Sequence, residues 1–319
     1  MTITSEASPI RTTEPYAVVH GWPTLPEGYV FGQVTGVDVD SNNDVLIFHR
    51  AENSFPKTYP DMPLVQSPTI ARIDGETGEV KAMWGEDLFI QPHGLRVDAD
   101  DNIWVTDHLL HQVLKFSPDG KQLLTIGQAK TPGPGPANLG GPTDVAFDDE
   151  GCVYIADGYE NKRVAKFSPD GEFMLEWGEE GDGPGQFLLV HGIAIDHDGN
   201  IYVGDRHASA LQVFTPTGEL LHYWQSEELG KPWGLDVGPD NLLYMIDGGD
   251  YKLTPDRATP GRSQITKLDL EGNILARWSR FGNQDGQTYW GHSIAVGADG
   301  AVYAGDVWYG MRIQKFVAR

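Results

Sequence analysis

Apolar and polar residues alternate along this chain in short bursts, and each burst stops at a turn built from Asp, Gly, Asn or Pro. The stretch from His93, HGLRVDADDNIWVTDHLLHQVLKFSPDGKQLLTIG, shows the pattern clearly. Alternation with a period of two marks strands with one face buried, and D-G or PDG turns between such runs mark antiparallel hairpins. The stretch therefore predicts four short strands, the first ending at Asp98 and the second at Asp107.

The same phrase returns from Thr143 (TDVAFDDEGCVYIADGYENKRVAKFSPDGEFMLEWG) and from His191 (HGIAIDHDGNIYVGDRHASALQVFTPTGELLHYWQ). Weaker copies begin at Thr35, Trp233 and His292, giving six units. A single four-stranded unit cannot bury both faces, so neighbours must stack, and radial stacking makes an all-β, six-bladed β-propeller of four-stranded antiparallel blades. The sixth copy, ending in GMRIQKFVAR, has only three strands, so an N-terminal strand from YAVVHGW is expected to close the ring. Residues 1–14 are expected to form a loose tail, and residues 15–319 one propeller domain.

Aligned on the repeat, the first-strand position reads Thr35, His93, Thr143, His191, Trp233, His292. Histidines occupy every second blade. First strands line the central axis of a propeller, so three imidazoles should converge there with threefold symmetry, a ready zinc site with an open fourth position. Asp107, Asp157, Asp205, Asp247 and Asp306 end the second strand in five blades. A residue present in nearly every blade serves the architecture, here by accepting hydrogen bonds from turn amides. In blade one the slot holds His49, followed by Arg50. Arg50, Tyr159 and Arg206 all follow second strands and are expected to rim the face on which the histidines open. Long loops after His49 and after Asp247, with Pro/Gly-rich loops entering blades three and four, should wall a pocket on that face.

Composition narrows the function. Asp+Glu number 46 against Lys+Arg 23, a net charge of −23, which repels phosphate backbones and anionic lipid. Nucleic acid and membrane are thus not expected as partners, and an anionic substrate would need locally placed arginines. No run of 18 apolar residues is present. The start, MTITSEASPIRTTEPY, does not read as a signal peptide, and Cys152 is the single cysteine. Both features lead us to expect a cytoplasmic location, with Cys152 packed on a buried strand rather than acting as a nucleophile.

The phrases VTGVDVDSNNDVLIFHR, PHGLRVDADDNIWVTDHLLHQVLKF, PTDVAFDDEGCVYIADGYENKR and GQFLLVHGIAID resemble the catalytic core of peptidyl-α-hydroxyglycine α-amidating lyases, within the NHL-repeat propellers. The resemblance spans about residues 30–316. It implies zinc held by His93, His191 and His292, Tyr159 as general base, Arg50 on the substrate carboxylate and Arg206 beside the tyrosine. It implies cleavage of the C–N bond of an N-acyl-α-hydroxyglycine to an amide and glyoxylate. A free tyrosine titrates near 10, and a neighbouring guanidinium favours the phenolate.

The resemblance also implies a calcium ion on the backbone carbonyls of Val37 and Leu95 and on an aspartate after the third histidine. That residue is Ser293 here, a neutral and weaker ligand, which argues against calcium. A small carboxylate-bearing carbinolamide is the expected substrate. The alternatives are a metal-dependent hydrolase of lactonase-like type and a non-catalytic NHL propeller that binds a protein partner.

Overall fold

The computed structural model describes residues 15–54, 62–249 and 262–319. The N-terminal tail and parts of the two longest loops predicted from the sequence lie outside the described residues.

Six four-stranded antiparallel sheets are present among the described residues, five with their strands in chain order from the axis outward and the sixth with the N-terminal strand outermost. Blade two is representative, with strands Pro92–Val97, Ile103–Asp107, Gln112–Phe116 and Gln122–Ile126. The six innermost strands are Val34–Val39, Pro92–Val97, Pro142–Phe147, Val190–Ile195, Pro232–Val237 and Gly291–Val296. Each packs between the innermost strands of the two adjoining blades, and the sixth meets the first. Ring closure comes from Tyr16–Val18, which pairs as the outer strand of blade six with Tyr16 opposite Ala318 and Val18 opposite Phe316.

The apolar alternation is used between blades. Leu46, Phe48 and Ile70 of blade one pack with Leu95, Ile103 and Val105 of blade two, all essentially buried. The same kind of cluster joins blades five and six around Trp233, Ile246, Ile294 and Val302. Non-directional burial of this sort sets the stack, and the recurring aspartates then tie each blade to the chain that enters it. Asp107 accepts the N–H groups of Ile90 and Gln91 on one oxygen and of Leu109 and Leu110 on the other. Asp205 does the same for Leu188, Leu189 and Ala208.

His49 keeps this job in blade one. Its Nδ1 accepts the amides of Gly32 and Ala51 at 3.3 and 3.2 Å, one from the entering chain and one from the turn that follows, as Asp107 does. With Nδ1 accepting, Nε2 carries the proton and donates to the Tyr29 hydroxyl at 2.9 Å. The exception in the aspartate slot is a structural stand-in.

Candidate metal centre

Each innermost strand begins with a β-bulge. Pairing with the second strand slips between Pro92 and Leu95, between Val190 and Gly192, and between Gly291 and Ser293. A bulge leaves a residue out of the ladder and re-aims its side chain. The residues it releases include His93, His191 and His292, which thereby turn toward the axis. Glycine follows two of them, and at Gly94 a Cβ would stand 2.5 Å from the carbonyl oxygen of Thr143. Without that methylene the backbones of blades two and three approach closely.

That approach sets the protonation of the imidazoles. Nδ1 of His93 lies 2.7 Å from the Thr143 carbonyl oxygen, Nδ1 of His191 2.5 Å from that of Trp233, and Nδ1 of His292 2.8 Å from that of Thr35. A carbonyl only accepts, so each Nδ1 must donate, and each Nε2 keeps its lone pair. The three carbonyls belong to the very repeat position that holds the histidines, in the intervening blades. Even-numbered blades supply the rings, and odd-numbered blades fix their tautomer.

Ring centroids are 4.7–4.8 Å apart, and a nitrogen from each ring lies within 4.8 Å of the others. All three are buried. Burial, then the neighbouring imidazoles, holds His93 well below the ordinary histidine range. For His191 burial is followed by Arg206, and for His292 by Arg50 and Arg206. Nε2 of His191 is buried without a hydrogen-bond partner among the described residues. Three neutral imidazoles with inward lone pairs, each oriented by a carbonyl on its far nitrogen, are a donor set that fits a metal ion.

Tyr159 joins this centre directly, its hydroxyl lying 3.2 Å from Nε2 of His93. With that nitrogen unprotonated, the hydroxyl donates to it. The ring stacks on His108, with centroids 4.8 Å apart and planes 29° from parallel, and the backbone N–H of Tyr159 donates to Gly141 O at 3.2 Å. Arg206 lies with its guanidinium carbon 5.9 Å from the Tyr159 ring centre and 4.3 Å from that of Trp233. Arg50 donates from Nε to Pro92 O and from Nη1 to Gln33 Oε1, both at 3.0 Å.

The expected rim is therefore corrected in depth: Arg50 is 1% and Arg206 5% exposed, so both lie beneath the surface. The Arg206 guanidinium packs over Trp233, and that of Arg50 against Pro92 at the start of blade two.

Sequence reasoning missed His108, Gln33 and Arg96. His108 follows the slot aspartate just as Arg50 and Arg206 follow theirs, so its repeat position was the available signal. Its Nδ1 is buried without a hydrogen-bond partner among the described residues. The residues named for calcium also lie on the axis, where Val37, Leu95 and Ser293 line a cavity of about 10 Å³ beneath the histidines. A buried guanidinium, Arg96, lines it too. Cys152 packs as expected, buried, with its sulfur 3.9 Å from that of Met174.

A 6-bladed beta-propeller family model matches residues 137–227, and an NHL repeat model matches residues 89–116. The chain is 36% identical over 303 residues to peptidyl-glycine alpha-amidating monooxygenase B of Xenopus laevis, across 89% of this chain and 34% of that protein. It thus spans about a third of the length of that longer relative. Over 314 residues it is 32% identical to peptidyl-alpha-hydroxyglycine alpha-amidating lyase 2 of Drosophila melanogaster, across 91% of this chain and 72% of that one. A gluconolactonase from Xanthomonas campestris superposes with a TM-score of 0.63 at 14% identity, covering 91% and 87% of the two chains. That likeness is one of fold alone.

Proposed function

The chain belongs to the peptidyl-α-hydroxyglycine α-amidating lyase family, and on that premise we propose that it is a zinc-dependent lyase. Its proposed reaction splits the C–N bond of a small N-acyl-α-hydroxyglycine into an amide and glyoxylate. The observation that carries the reading is the placement of the Tyr159 hydroxyl against a ring of three carbonyl-oriented imidazoles.

Zinc bound at those imidazoles would supply Lewis acidity toward the substrate hydroxyl, of the kind that lowers a bound water from ~15.7 to about 7. The protein's own residues account for the rest. With Nε2 of His93 given over to the metal, Tyr159 would act as the phenolate and take the hydroxyl proton. The O–H electron pair becomes the second bond of the glyoxylate carbonyl, and the C–N pair leaves with the amide nitrogen. That nitrogen gains one proton for the one removed, so Tyr159 can return what it took. Arg206, its guanidinium carbon 5.9 Å from the centre of the Tyr159 ring, brings a positive charge beside the phenol. Arg50, its plane pinned by Pro92 and Gln33, presents a fixed fork to the carboxylate. On a chain of net charge −23, these two buried arginines provide the local positive field that an anionic substrate requires.

The test is glyoxylate release from α-hydroxyhippurate by protein carrying one zinc per chain, with benzamide as the co-product. Equal amounts of the two products support the reading. A fully zinc-loaded protein that releases neither product, from this or shorter N-acyl-α-hydroxyglycines, refutes it.

A further inference from the structure

The axial channel below the histidines contains a cation of its own. Arg96 stands in blade two at the repeat position occupied by Asp38 in blade one and Asp236 in blade five. Its side chain crosses the axis and is 8% exposed. Nε and Nη2 bind the two oxygens of Asp144 at 3.2 and 3.0 Å. Nη2 also donates to the carbonyl of Leu235 at 2.5 Å and Nη1 to that of Ile294 at 3.3 Å, with Asp236 3.8 Å from Nη1. One guanidinium thus joins blades two, three, five and six.

Leu235 and Ile294 occupy, in blades five and six, the repeat position of Val37 and Leu95. Two axial carbonyls of this position, those of blades five and six, are thus already engaged by a positive charge. The carboxylates around it are engaged as well. Asp38 accepts the amides of Val39 and Val97, each at 2.8 Å, and Asp236 accepts those of Val237 and Val296 at 2.9 and 2.7 Å. Ser293, where a carboxylate would be needed to complete a calcium shell, offers a buried hydroxyl oxygen with no partner among the described residues. The remaining space, about 10 Å³, has room for about one water. Calcium demands six to eight oxygens, and the residues present do not fit it.

We propose that the guanidinium of Arg96 replaces the calcium ion implied by the resemblance, so that this propeller carries its axial cation covalently and folds without calcium. The charge balance supports the exchange. Burial pushes Asp38 and Asp144 upward and Asp236 to about 7, while Arg96 is the main influence holding all three down. Without Arg96 the channel would hold carboxylates with no counter-ion, the condition under which a divalent cation binds. The proposal depends on the implied calcium and not on the reaction, so its test reads no activity.

Equilibrium dialysis against millimolar calcium, with zinc present to keep the histidines occupied, measures calcium per chain, and the thermal midpoint is followed with and without calcium. Wild-type protein is expected to retain no calcium and to show the same midpoint in both conditions. Arg96→Met, which keeps the bulk and removes the charge, is expected to lose roughly 5–10 °C and to regain part of it as about one calcium binds per chain. One calcium per wild-type chain overturns the proposal, and that measurement stands even if the variant does not fold. An Arg96→Met midpoint equal to wild type overturns it too, as does a destabilised variant that ignores calcium, since Arg96 would then be a brace and not a surrogate ion.

Discussion

The Tyr159 hydroxyl and Nε2 of His93 are 3.2 Å apart, so the phenol donates to the lone pair that one of the three imidazoles presents to the centre. The base proposed for the reaction and the group proposed to hold the metal are in direct contact. Tyr159→Phe keeps the ring stacked on His108 and removes only the hydroxyl. Turnover should fall by about 10²–10⁴-fold, with metal per chain unchanged by elemental analysis. Wild-type rates of glyoxylate release in this variant would exclude the phenol as base.

Metal binding should depend on the histidines as a set. His191→Ala removes a buried Nε2 that has no hydrogen-bond partner among the described residues, together with the Nδ1 bond to the Trp233 carbonyl. Metal affinity, measured by competition with a chromogenic chelator, should drop by more than about 100-fold. Stripping the wild type should abolish turnover, and zinc should restore it. Full affinity in His191→Ala would place the metal elsewhere.

Arg50 is held in one plane by Pro92 and Gln33. Replacement by lysine keeps the charge and loses the fork. Hydrogen bonds to charged groups contribute about 1.5–3 kcal/mol, so KM in Arg50→Lys should rise by roughly 10–100-fold, with a smaller change in kcat. Gln33→Ala, which frees the plane, should raise KM less. A loss confined to kcat would show that Arg50 acts on the reacting centre and not on the carboxylate.

His49 predicts a pH dependence of stability. Burial pushes it from 6.5 down to about 4, and in the neutral ring Nδ1 accepts two amides. The unfolded chain therefore binds a proton more readily than the folded one. This contribution is fully present above pH 6.5 and is lost as pH falls toward 4, up to roughly 3 kcal/mol. In His49→Asn an amide oxygen can accept the same bonds and does not titrate. The wild-type-minus-variant unfolding free energy should thus decline over that window; a flat difference would mean that His49 is not held neutral by the fold.

Much of the molecule was legible in the residues. The six repeat starts each fall one residue inside an innermost strand, from Val34 to Gly291, because D-G turns and period-two alternation are local signals. The closing strand at Tyr16 and the clamp role of Asp107 followed from an incomplete copy and a recurrent residue. That His49 does the work of the slot aspartate was not legible, because a neutral imidazole can replace a carboxylate as an acceptor, which no sequence pattern displays. His108 and Arg96 were passed over for a related reason. Their meaning lies in what they touch, Tyr159 in one case and Leu235, Ile294 and Asp144 in the other.

The chain by itself determined that three histidines share one register in alternate blades, since the repeat is written in strand alternation and turn chemistry that act over a few residues. Only closure of the ring decided what those histidines are. It brought the Thr143, Trp233 and Thr35 carbonyls onto their Nδ1 atoms, placed Tyr159 against His93, and ran the Arg96 side chain across the axis. Backbone carbonyls carry no residue signature, and contacts between blades depend on the packed distance across the axis, which no local period encodes.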